Sequence, residues 1–309
     1  MEGLGTLTTE TRNPNSEQID ELSTLEMLTI FNGEDATIAG AVATQLAVIA
    51  KAVDAIAERF AQGGRLFYIG AGTSGRLGVL DASECPPTFS VPPTLVQGLI
   101  AGGDRALRNS SEHSEDSPEQ GKDDLIAAGF GAENTRDATA PTPDILLGIS
   151  ASGRTPYVLG ALLHARAIKA LGIGLACVAG SPFSKVTDIM IEPVTGPEVI
   201  TGSTRMKAGT ATKMVLNMIS TGVMVRTGHV YGNLMVNVKP TNEKLIDRAQ
   251  RIIMTLTGCD RPAATRLMIE AGDVKTAIAM SKLSLSRGEA ETRLAAQGGN
   301  LGKVLRGQS

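Results

Sequence analysis

The feature that most constrains this chain is a short apolar run that passes directly into a glycine loop and then into the start of a helix. Residues 66–69 read L-F-Y-I, and residues 70–75 read G-A-G-T-S-G. Glycines let a backbone approach an anion closely, and free N–H groups at a helix start point towards it. This order predicts a phosphate-binding loop in an α/β fold. An ordinary tight strand-to-helix turn is the alternative.

The same loop matches the dinucleotide fingerprint G-x-G-x-x-G. That fingerprint requires an acidic residue about 20 residues further on to hold the ribose. Residues 88–103 contain no Asp or Glu. The loop also carries side-chain donors, Thr73, Ser74 and Arg76, which suit a terminal phosphate better than a pyrophosphate. We therefore expect a phosphorylated ligand and no dinucleotide.

Beyond this loop, predicted strands alternate with predicted helices. The strands cover residues 65–69, 95–101, 144–149, 174–179 and 188–192, and the helices cover 36–62, 118–128, 155–171 and 203–226. This alternation predicts an α/β fold, a doubly wound five-stranded parallel sheet with helices on both faces. Ligands of such sheets bind at the carboxyl ends of the strands.

The pattern changes after residue 240. Four further helices are predicted there, over residues 241–256, 261–271, 274–282 and 288–296, with no strand between them. We therefore expect three parts: an N-terminal helical segment over 1–62 that packs on the core, an α/β domain over 63–240 that binds the phosphorylated ligand, and a small all-helical C-terminal domain over 241–309.

A second loop of the same kind follows the third predicted strand, where residues 149–155 read I-S-A-S-G-R-T. Three hydroxyl groups lie within six residues, Gly153 permits the turn, and Thr155-Pro156 suits a helix cap followed by proline. Ordinary capping of two helices is the alternative. Convergence of both loops on one phosphate makes the candidate ligands Gly72, Thr73, Ser74, Ser150, Ser152, Gly153 and Thr155.

A third segment, residues 196–213, reads G-P-E-V-I-T-G-S-T-R-M-K-A-G-T-A-T-K. Ser203 is the predicted cap of the long helix that follows. Glu198 precedes this helix, and Arg205 and Lys207 lie in its first turns. A capped helix with a solvated, charged end is the alternative to a ligand-binding role.

Composition excludes several partners. The net charge is −3 and no basic block is present, so neither nucleic acid nor an anionic membrane is expected to bind. The three cysteines and three histidines show no metal-ligand spacing, so we expect no metal. No apolar run reaches the length of a membrane span, and residues 1–15 lack the apolar region of a signal peptide. These features are typical of a cytoplasmic protein.

Together these segments resemble the sugar-isomerase (SIS) domain. More narrowly they resemble its N-acetylmuramic acid 6-phosphate etherase branch, which shares a G-P-E…G-S-T-R-M-K signature with the glucokinase regulatory protein. Further blocks of the resemblance are T-E-T-R-N-P at residues 9–14, G-A-G-T-S-G-R-L-G-V-L-D-A-S-E-C-P-P-T at 70–88 and G-N-L-M-V-N-V at 232–238. The resemblance covers nearly the whole chain.

The resemblance implies cleavage of the D-lactyl ether of N-acetylmuramic acid 6-phosphate without metal or nicotinamide. Elimination through an open-chain aldehyde is followed by addition of water, which needs a base at carbon 2 and an acid at the leaving oxygen. The family's two active-site glutamates correspond to Glu84, the acid that then activates water, and Glu115, the base. Without the resemblance, Glu84 fits a solvated helix end equally well, and Glu115 fits a solvated, charge-rich loop.

One distance conflicts with this assignment. Ten helical residues from Ser74 to Glu84 span roughly 15 Å, which exceeds the distance from the phosphate to carbon 3 in a hexose phosphate. Because the residue before a proline disfavours helical angles, Cys85-Pro86-Pro87 should break the helix. We therefore expect either that the helix ends before Glu84 and the chain turns back, or that a neighbouring subunit completes the site.

Two other functions stay open at this point. One is aldose–ketose isomerisation of a sugar phosphate, which also needs a base at carbon 2. The other is a non-catalytic sugar-phosphate sensor, like the regulatory relatives. The presence of both Glu84 and Glu115 favours catalysis. SIS relatives are commonly dimers, so we expect a homodimer, with the apolar helix predicted over residues 36–62 as its candidate surface.

Overall fold

The structure is a computed structural model that describes residues 8–109, 112–132 and 142–307. Its strands are β1 (Leu66–Gly70), β2 (Val96–Ile100), β3 (Ile145–Ile149), β4 (Leu171–Leu175) and β5 (Ile189–Ile191). Its helices are α1 (Thr24–Asp35), α2 (Ile38–Ala43), α3 (Leu46–Ala61), α4 (Gly72–Phe89), α5 (Arg105–Arg108), α6 (Pro118–Ala127), α7 (Pro156–Ala167), α8 (Lys207–Arg226), α9 (Glu243–Thr257), α10 (Arg261–Ala271), α11 (Val274–Leu283), α12 (Arg287–Ala296) and α13 (Leu301–Leu305).

The chain divides into two compact units. The first lies within residues 1–83 and 94–220, and the second within residues 84–93 and 221–309. The second unit therefore combines the end of α4 and the segment after it with the C-terminal helices. The three-part division expected from the sequence stays a prediction about separately folding domains.

The first unit contains one five-stranded parallel sheet in the order β2-β1-β3-β4-β5. From β1 the chain moves to one side to form β2, and then crosses to the other side to form β3. This order confirms the predicted doubly wound α/β fold. It places a topological switch point between β1 and β3, where doubly wound sheets bind their ligands.

Successive side chains of the central strands alternate between two covered faces. Phe67 and Ile69 of β1 are fully buried in one cluster with residues of α6 and α7. Tyr68 points to the opposite face and hydrogen-bonds to Asp81 of α4. Because both faces are covered, all five residues of β1 are buried.

The fourth strand lies earlier than its apolar pattern predicts. We expected it over residues 174–179 and the preceding helix through residue 171, but α7 ends at Ala167 and β4 covers Leu171–Leu175. Two of the five residues of β4 are glycines, which are poor strand formers, so the local pattern favoured the later residues. Pairing decides the register, since Ile145 of β3 lies opposite Leu171.

The helix predicted over residues 36–62 is two helices, α2 and α3, separated at Thr44 and Gln45. Its apolar residues Val42, Ile49 and Ile56 are buried within the chain. Leu46 of the same stretch is 51% exposed, and the association surface expected there stays a prediction. The capping box predicted at residues 23–26 is present at the start of α1.

No single helix of the described residues is long and apolar enough to cross a membrane. One pair of helical segments, Thr24–Ala43 and Leu46–Ala61, is long and apolar enough when the two are taken together, but the pair is bent by 58° at the break.

The second unit is a helical bundle with its own core. Helices α9 to α13 pack around buried residues that include Ile253, Ile278 and Leu301. The segment after α4 belongs to the same unit, where Asn237 Nδ2 donates to the Phe89 carbonyl at 3.1 Å. The last helix, α13, was missing from the sequence prediction.

Candidate functional site

The two glycine-and-hydroxyl loops follow neighbouring strands of the sheet. Gly70 at the end of β1 lies opposite Ile149 at the end of β3. The loops at residues 70–75 and 150–155 therefore begin side by side at the carboxyl edge of the sheet, on either side of the switch point. The sequence predicted that they converge, and the strand order brings their starting points together.

In the first loop, the start of α4 packs directly against the end of β1. A Cβ atom on Gly75 would lie 2.7 Å from the Gly70 carbonyl oxygen and 2.6 Å from Ile100 Cγ1. Only glycine fits this approach. Thr73 and Ser74 are half-buried in the first turn of α4, where the first N–H groups of a helix have no intrahelical acceptor. This turn supplies both amide and hydroxyl donors to an anion.

Arg76 does not contribute its guanidinium to this loop as expected. Its Nη2 donates to the Ala106 carbonyl at 2.8 Å and its Nε to the Leu107 carbonyl at 3.1 Å. These carbonyls belong to α5, so Arg76 holds the segment after β2 against α4. We no longer count it among the phosphate donors.

The second loop gathers its hydroxyl groups around one buried serine. Ser150 Oγ lies 2.8 Å from Thr155 Oγ1 and 3.4 Å from Ser152 Oγ. It also accepts the Gly153 N–H at 3.1 Å. The Thr155 hydroxyl makes no capping bond to α7, although proline follows it at the first position of that helix. The hydroxyls therefore form a cluster instead of simple caps.

The turn at Gly153 has structural requirements of its own. Its φ angle is +63°, and a Cβ atom there would lie 2.3 Å from Ser181 Oγ. Ser181 follows β4, and its hydroxyl is buried without a hydrogen-bond partner among the described residues. Sequence reasoning missed Ser181, although its place just after a strand end was a usable signal.

The third segment has a different role from the first two loops. Glu198 is fully buried and accepts the Lys207 N–H at 2.8 Å and the Ala208 N–H at 3.0 Å. It therefore caps α8, which begins at Lys207 and not at the predicted Ser203. The carboxylate occupies the N–H groups that would otherwise attract an anion. The start of α8 therefore has fewer free N–H groups to offer an anion than the sequence suggested.

Other contacts place the start of α8 beside both loops. A Cβ atom on Gly209 would lie 3.6 Å from Thr73 Cγ2 of the first loop. Cys177, just after β4, donates its N–H to the Ala151 carbonyl at 2.9 Å, and its thiol lies 3.5 Å from the Ala208 carbonyl. Burial raises the pKa of Cys177 to about 12, so its thiol stays protonated.

The N-terminal segment braces the loop that carries Glu198. Asn13 Nδ2 donates to the Pro197 carbonyl at 3.3 Å, and Ser16 Oγ donates to the Val199 carbonyl at 2.7 Å. Lys207 Nζ pairs with Glu34 of α1 at 2.5 Å. Residues more than 170 positions apart thus fix the start of α8, which sequence patterns did not reveal.

Glu84 lies within α4, which continues to Phe89 through Pro86 and Pro87. The prediction that this helix ends before Glu84 is therefore wrong. Each proline leaves one carbonyl group of the helix without its N–H donor, but the helix continues past both. It ends just before Ser90, which adopts a φ angle of +56°. Glu84 is exposed in the chain. Completion of the site by a neighbouring subunit stays a prediction.

Glu115 ends a short 3-10 turn, Glu112–Glu115, that precedes α6. It too is exposed, whereas the neighbouring Ser114 is half-buried. Ser114 lines a cavity of about 600 Å³ together with Gly103, Asp104 and Tyr157. Tyr157 follows the second loop, and Gly103 and Asp104 follow β2. The segment that carries Glu115 therefore borders a cavity at the carboxyl edge of the sheet.

Within the described residues, no group of three or more His, Cys, Asp and Glu is arranged to hold a metal ion. The donors at the loops are hydroxyl and amide groups, which suit a phosphate.

Known proteins resemble this chain over most of its length. A family model described as the glucokinase regulatory protein N-terminal SIS domain matches residues 48–166. The N-acetylmuramic acid 6-phosphate etherase of Aeromonas hydrophila is 53% identical over 297 residues, which is 96% of each chain. That of Clostridium botulinum (strain Okra) is 55% identical over 285 residues, which is 92% of this chain and 91% of the relative.

Among solved structures, a putative phosphosugar isomerase of Bacteroides fragilis shares 19% identity with a TM-score of 0.48. The match covers 68% of this chain and 95% of that chain.

The strand order and the two loops at the switch point, with the matching domain model, define an SIS-type α/β protein. Within that class, identity above 50% over nearly the whole length is decisive. The chain belongs to the N-acetylmuramic acid 6-phosphate etherase family.

Proposed function

We propose that this protein cleaves the D-lactyl ether of N-acetylmuramic acid 6-phosphate, giving N-acetylglucosamine 6-phosphate and D-lactate. It would thus act as a carbon–oxygen lyase in cell-wall sugar recycling. The observation that carries the proposal is the pair of hydroxyl-rich loops at the β1/β3 switch point, in a chain that belongs to the etherase family. Thr73, Ser74, Ser152 and Thr155 would donate to the phosphate oxygens.

The reaction requires two proton transfers. A base removes the proton on carbon 2, which the open-chain aldehyde acidifies, and an acid protonates the ether oxygen as the carbon 3–oxygen bond breaks. Water then adds to the resulting double bond at carbon 3. We assign Glu115 as the base, and Glu84 as the acid that afterwards activates the water. Both carboxylates are exposed in the single chain and therefore accessible to a substrate.

Because α4 is continuous, Glu84 lies several helical turns away from the first loop. Ten helical residues separate it from Ser74, a rise of roughly 15 Å. The site we propose therefore combines the loops of one protomer with Glu84 of a neighbouring protomer in a homodimer. We also propose a reducing, cytoplasmic location, since the spacing of the three cysteines in the sequence does not suit a disulfide framework.

The direct test is to incubate the protein with N-acetylmuramic acid 6-phosphate and to assay D-lactate. Release of D-lactate supports the etherase. Tight binding of a sugar phosphate without D-lactate supports the sensor, and conversion of a ketose phosphate supports the isomerase.

The two glutamates can be tested individually. Glu84→Gln and Glu115→Gln should each lower kcat at least about 100-fold, because general acid–base catalysis contributes about 10²–10⁴-fold. Substrate binding should survive, as measured by calorimetry with the inactive variants. A variant that retains full turnover removes its residue from the mechanism.

Complementation between subunits tests the shared site. Glu84→Gln and Ser150→Ala chains, each of low activity alone, are unfolded together and refolded to form mixed dimers. If Glu84 acts across the interface, one site of each mixed dimer is intact and activity returns. If Glu84 serves its own chain, neither site is intact and activity stays low.

A further inference from the structure

The second unit contains a cavity of its own, of about 510 Å³. It lies between α9 and the turn that precedes this helix, and its walls include Asn233, Leu234, Arg248, Ile252 and Thr255. This volume falls in the range of small-molecule sites in proteins. None of these residues takes part in the proposed etherase reaction.

The cavity contains a guanidinium group with unused donors. Arg248 is half-buried, and its one recorded contact among the described residues is the Met235 sulfur, 3.9 Å from Nη1. A thioether is a weak acceptor, whereas a guanidinium has five N–H donors in a planar fork. This fork matches a carboxylate or a phosphate.

The neighbouring arginines are already paired. Arg251 donates to Asp247 at 2.8 Å, and the other oxygen of Asp247 accepts from Arg261 at 2.8 Å. Arg251 also lines the cavity, but its guanidinium is held by this carboxylate, which it shares with Arg261. Arg248 therefore contributes uncompensated positive charge to the cavity.

The remaining walls define what else a ligand would carry. Arg248, Ile252 and Thr255 lie at positions i, i+4 and i+7 and share one face of α9. Thr255 and Asn233 supply a hydroxyl and an amide, while Ile252 and Leu234 supply apolar surface. A small organic molecule with an oxyanion group and a short carbon skeleton would contact both the polar and the apolar walls.

The geometry points to a second ligand site in the helical unit, which binds a small organic oxyanion, a carboxylate or a phosphate monoester, through Arg248. This inference does not depend on the etherase activity. If that activity is present, its two products carry these two groups, so the site would sense a product of the reaction.

The test uses the full-length protein with 13C-methyl methionine, because Met235 contacts Arg248 and reports locally. The Met235 signal, assigned by Met235→Leu, is followed by NMR during separate titrations with D-lactate, inorganic phosphate and N-acetylglucosamine 6-phosphate. We expect a saturable shift with at least one probe. The probe that binds most tightly identifies the anion as a carboxylate or a phosphate.

Variants decide whether the shift reports this site. Arg248→Met should weaken binding at least about tenfold, and Arg248→Lys, which keeps the charge but loses the fork, should weaken it less. Arg266→Met, at an exposed arginine of α10 outside the cavity, should bind like the unaltered protein. Glu84→Gln should keep the Met235 shift even if turnover is lost, which separates the two sites.

The inference is overturned if no probe shifts the Met235 signal at tens of millimolar. It is also overturned if Arg248→Met, shown by its thermal unfolding to be folded, binds as tightly as the unaltered protein.

Discussion

Asp81 lies in the middle of α4 with a nearly buried carboxylate that joins three elements of the first unit. It accepts hydrogen bonds from the Tyr68 hydroxyl at 2.9 Å, the Ser220 hydroxyl at 3.1 Å and Asn217 Nδ2 at 3.3 Å. These donors come from β1 and α8. A single side chain therefore ties the helix that follows the first loop to the sheet and to α8.

Replacing Asp81 with alanine should cost about 2–4 kcal/mol of unfolding free energy, because it leaves buried donors without an acceptor. Asn217→Ala, which removes only one of the three donors, should cost less. Urea unfolding measures both. Equal losses would show that Asp81 does not hold the network together.

Asp81 should also make stability depend on pH. Burial raises its pKa, and the hydrogen bonds from Tyr68 and Ser220 only partly oppose this. The folded state then binds the proton more tightly than the unfolded state, so stability is lost as pH rises from the ordinary pKa through the raised one. Asp81→Asn, which cannot ionise, should gain stability relative to the unaltered protein over that interval. If the unfolding free energies of Asp81→Asn and the unaltered protein change in parallel from pH 4 to 7, this prediction is wrong.

At the scale of elements, the start of α8 is capped from within the chain. Glu198 satisfies the N–H groups of Lys207 and Ala208 from a fully buried position. The Thr204 carbonyl accepts the next N–H, that of Gly209, at 3.0 Å. With these donors used internally, the start of α8 offers few free N–H groups to a ligand.

Glu198→Ala should therefore destabilise the protein by about 2–4 kcal/mol and expose the Lys207 and Ala208 amides to hydrogen exchange. The matched control is Glu289→Ala in the exposed capping box of α12, where we expect a loss of about 1 kcal/mol or less. Urea unfolding and exchange mass spectrometry give the two readouts. If both variants lose a similar amount of unfolding free energy, burial of Glu198 does not strengthen its cap on α8.

Two helices also depart from what their local sequence predicts. The pre-proline rule predicted a break before Glu84, but α4 runs through both prolines. The Thr155-Pro156 pair marked the start of α7 correctly, but the Thr155 hydroxyl bonds to Ser150. In both cases the contacts around a segment outweigh its local preference.

At the scale of the whole molecule, the apolar surface differs from the one we expected. Ile38, Val42, Ile49, Val53 and Ile56 of α2 and α3 are buried and Leu46 is 51% exposed, whereas α1 has no buried residue. Leu25 and Leu28 of α1 are 76% and 50% exposed. These leucines therefore join the stretch over residues 36–62 as candidates for the surface of the proposed homodimer.

Leu25→Glu combined with Leu28→Glu should shift the protein from dimer to monomer, because burying two carboxylates in an apolar interface is costly. We expect the dimer dissociation constant to rise at least about 100-fold, measured by sedimentation at several concentrations. Ile269→Glu is the matched control, since Ile269 is an isolated residue of α10 with 74% exposure. Loss of the dimer in the control, or its survival in the double variant, would contradict the assignment.

The sequence by itself determined the local chemistry of this protein. Its alternating apolar runs and glycine loops established the parallel sheet, the helical C-terminal part and the two hydroxyl loops, because strand and helix patterns and turn residues act over a few positions. The motif blocks also indicated the family, which the close relatives confirm.

Only the tertiary structure decided which of these residues work together. In the folded chain, Arg76 donates to carbonyl groups of α5, and Glu198 is buried as the cap of α8. Pairing with β3 sets the register of β4, and α4 continues past Glu84. Each outcome depends on partners distant in sequence. The free energy of burial and of satisfying buried polar groups is a property of the packed chain, and no local pattern contains it.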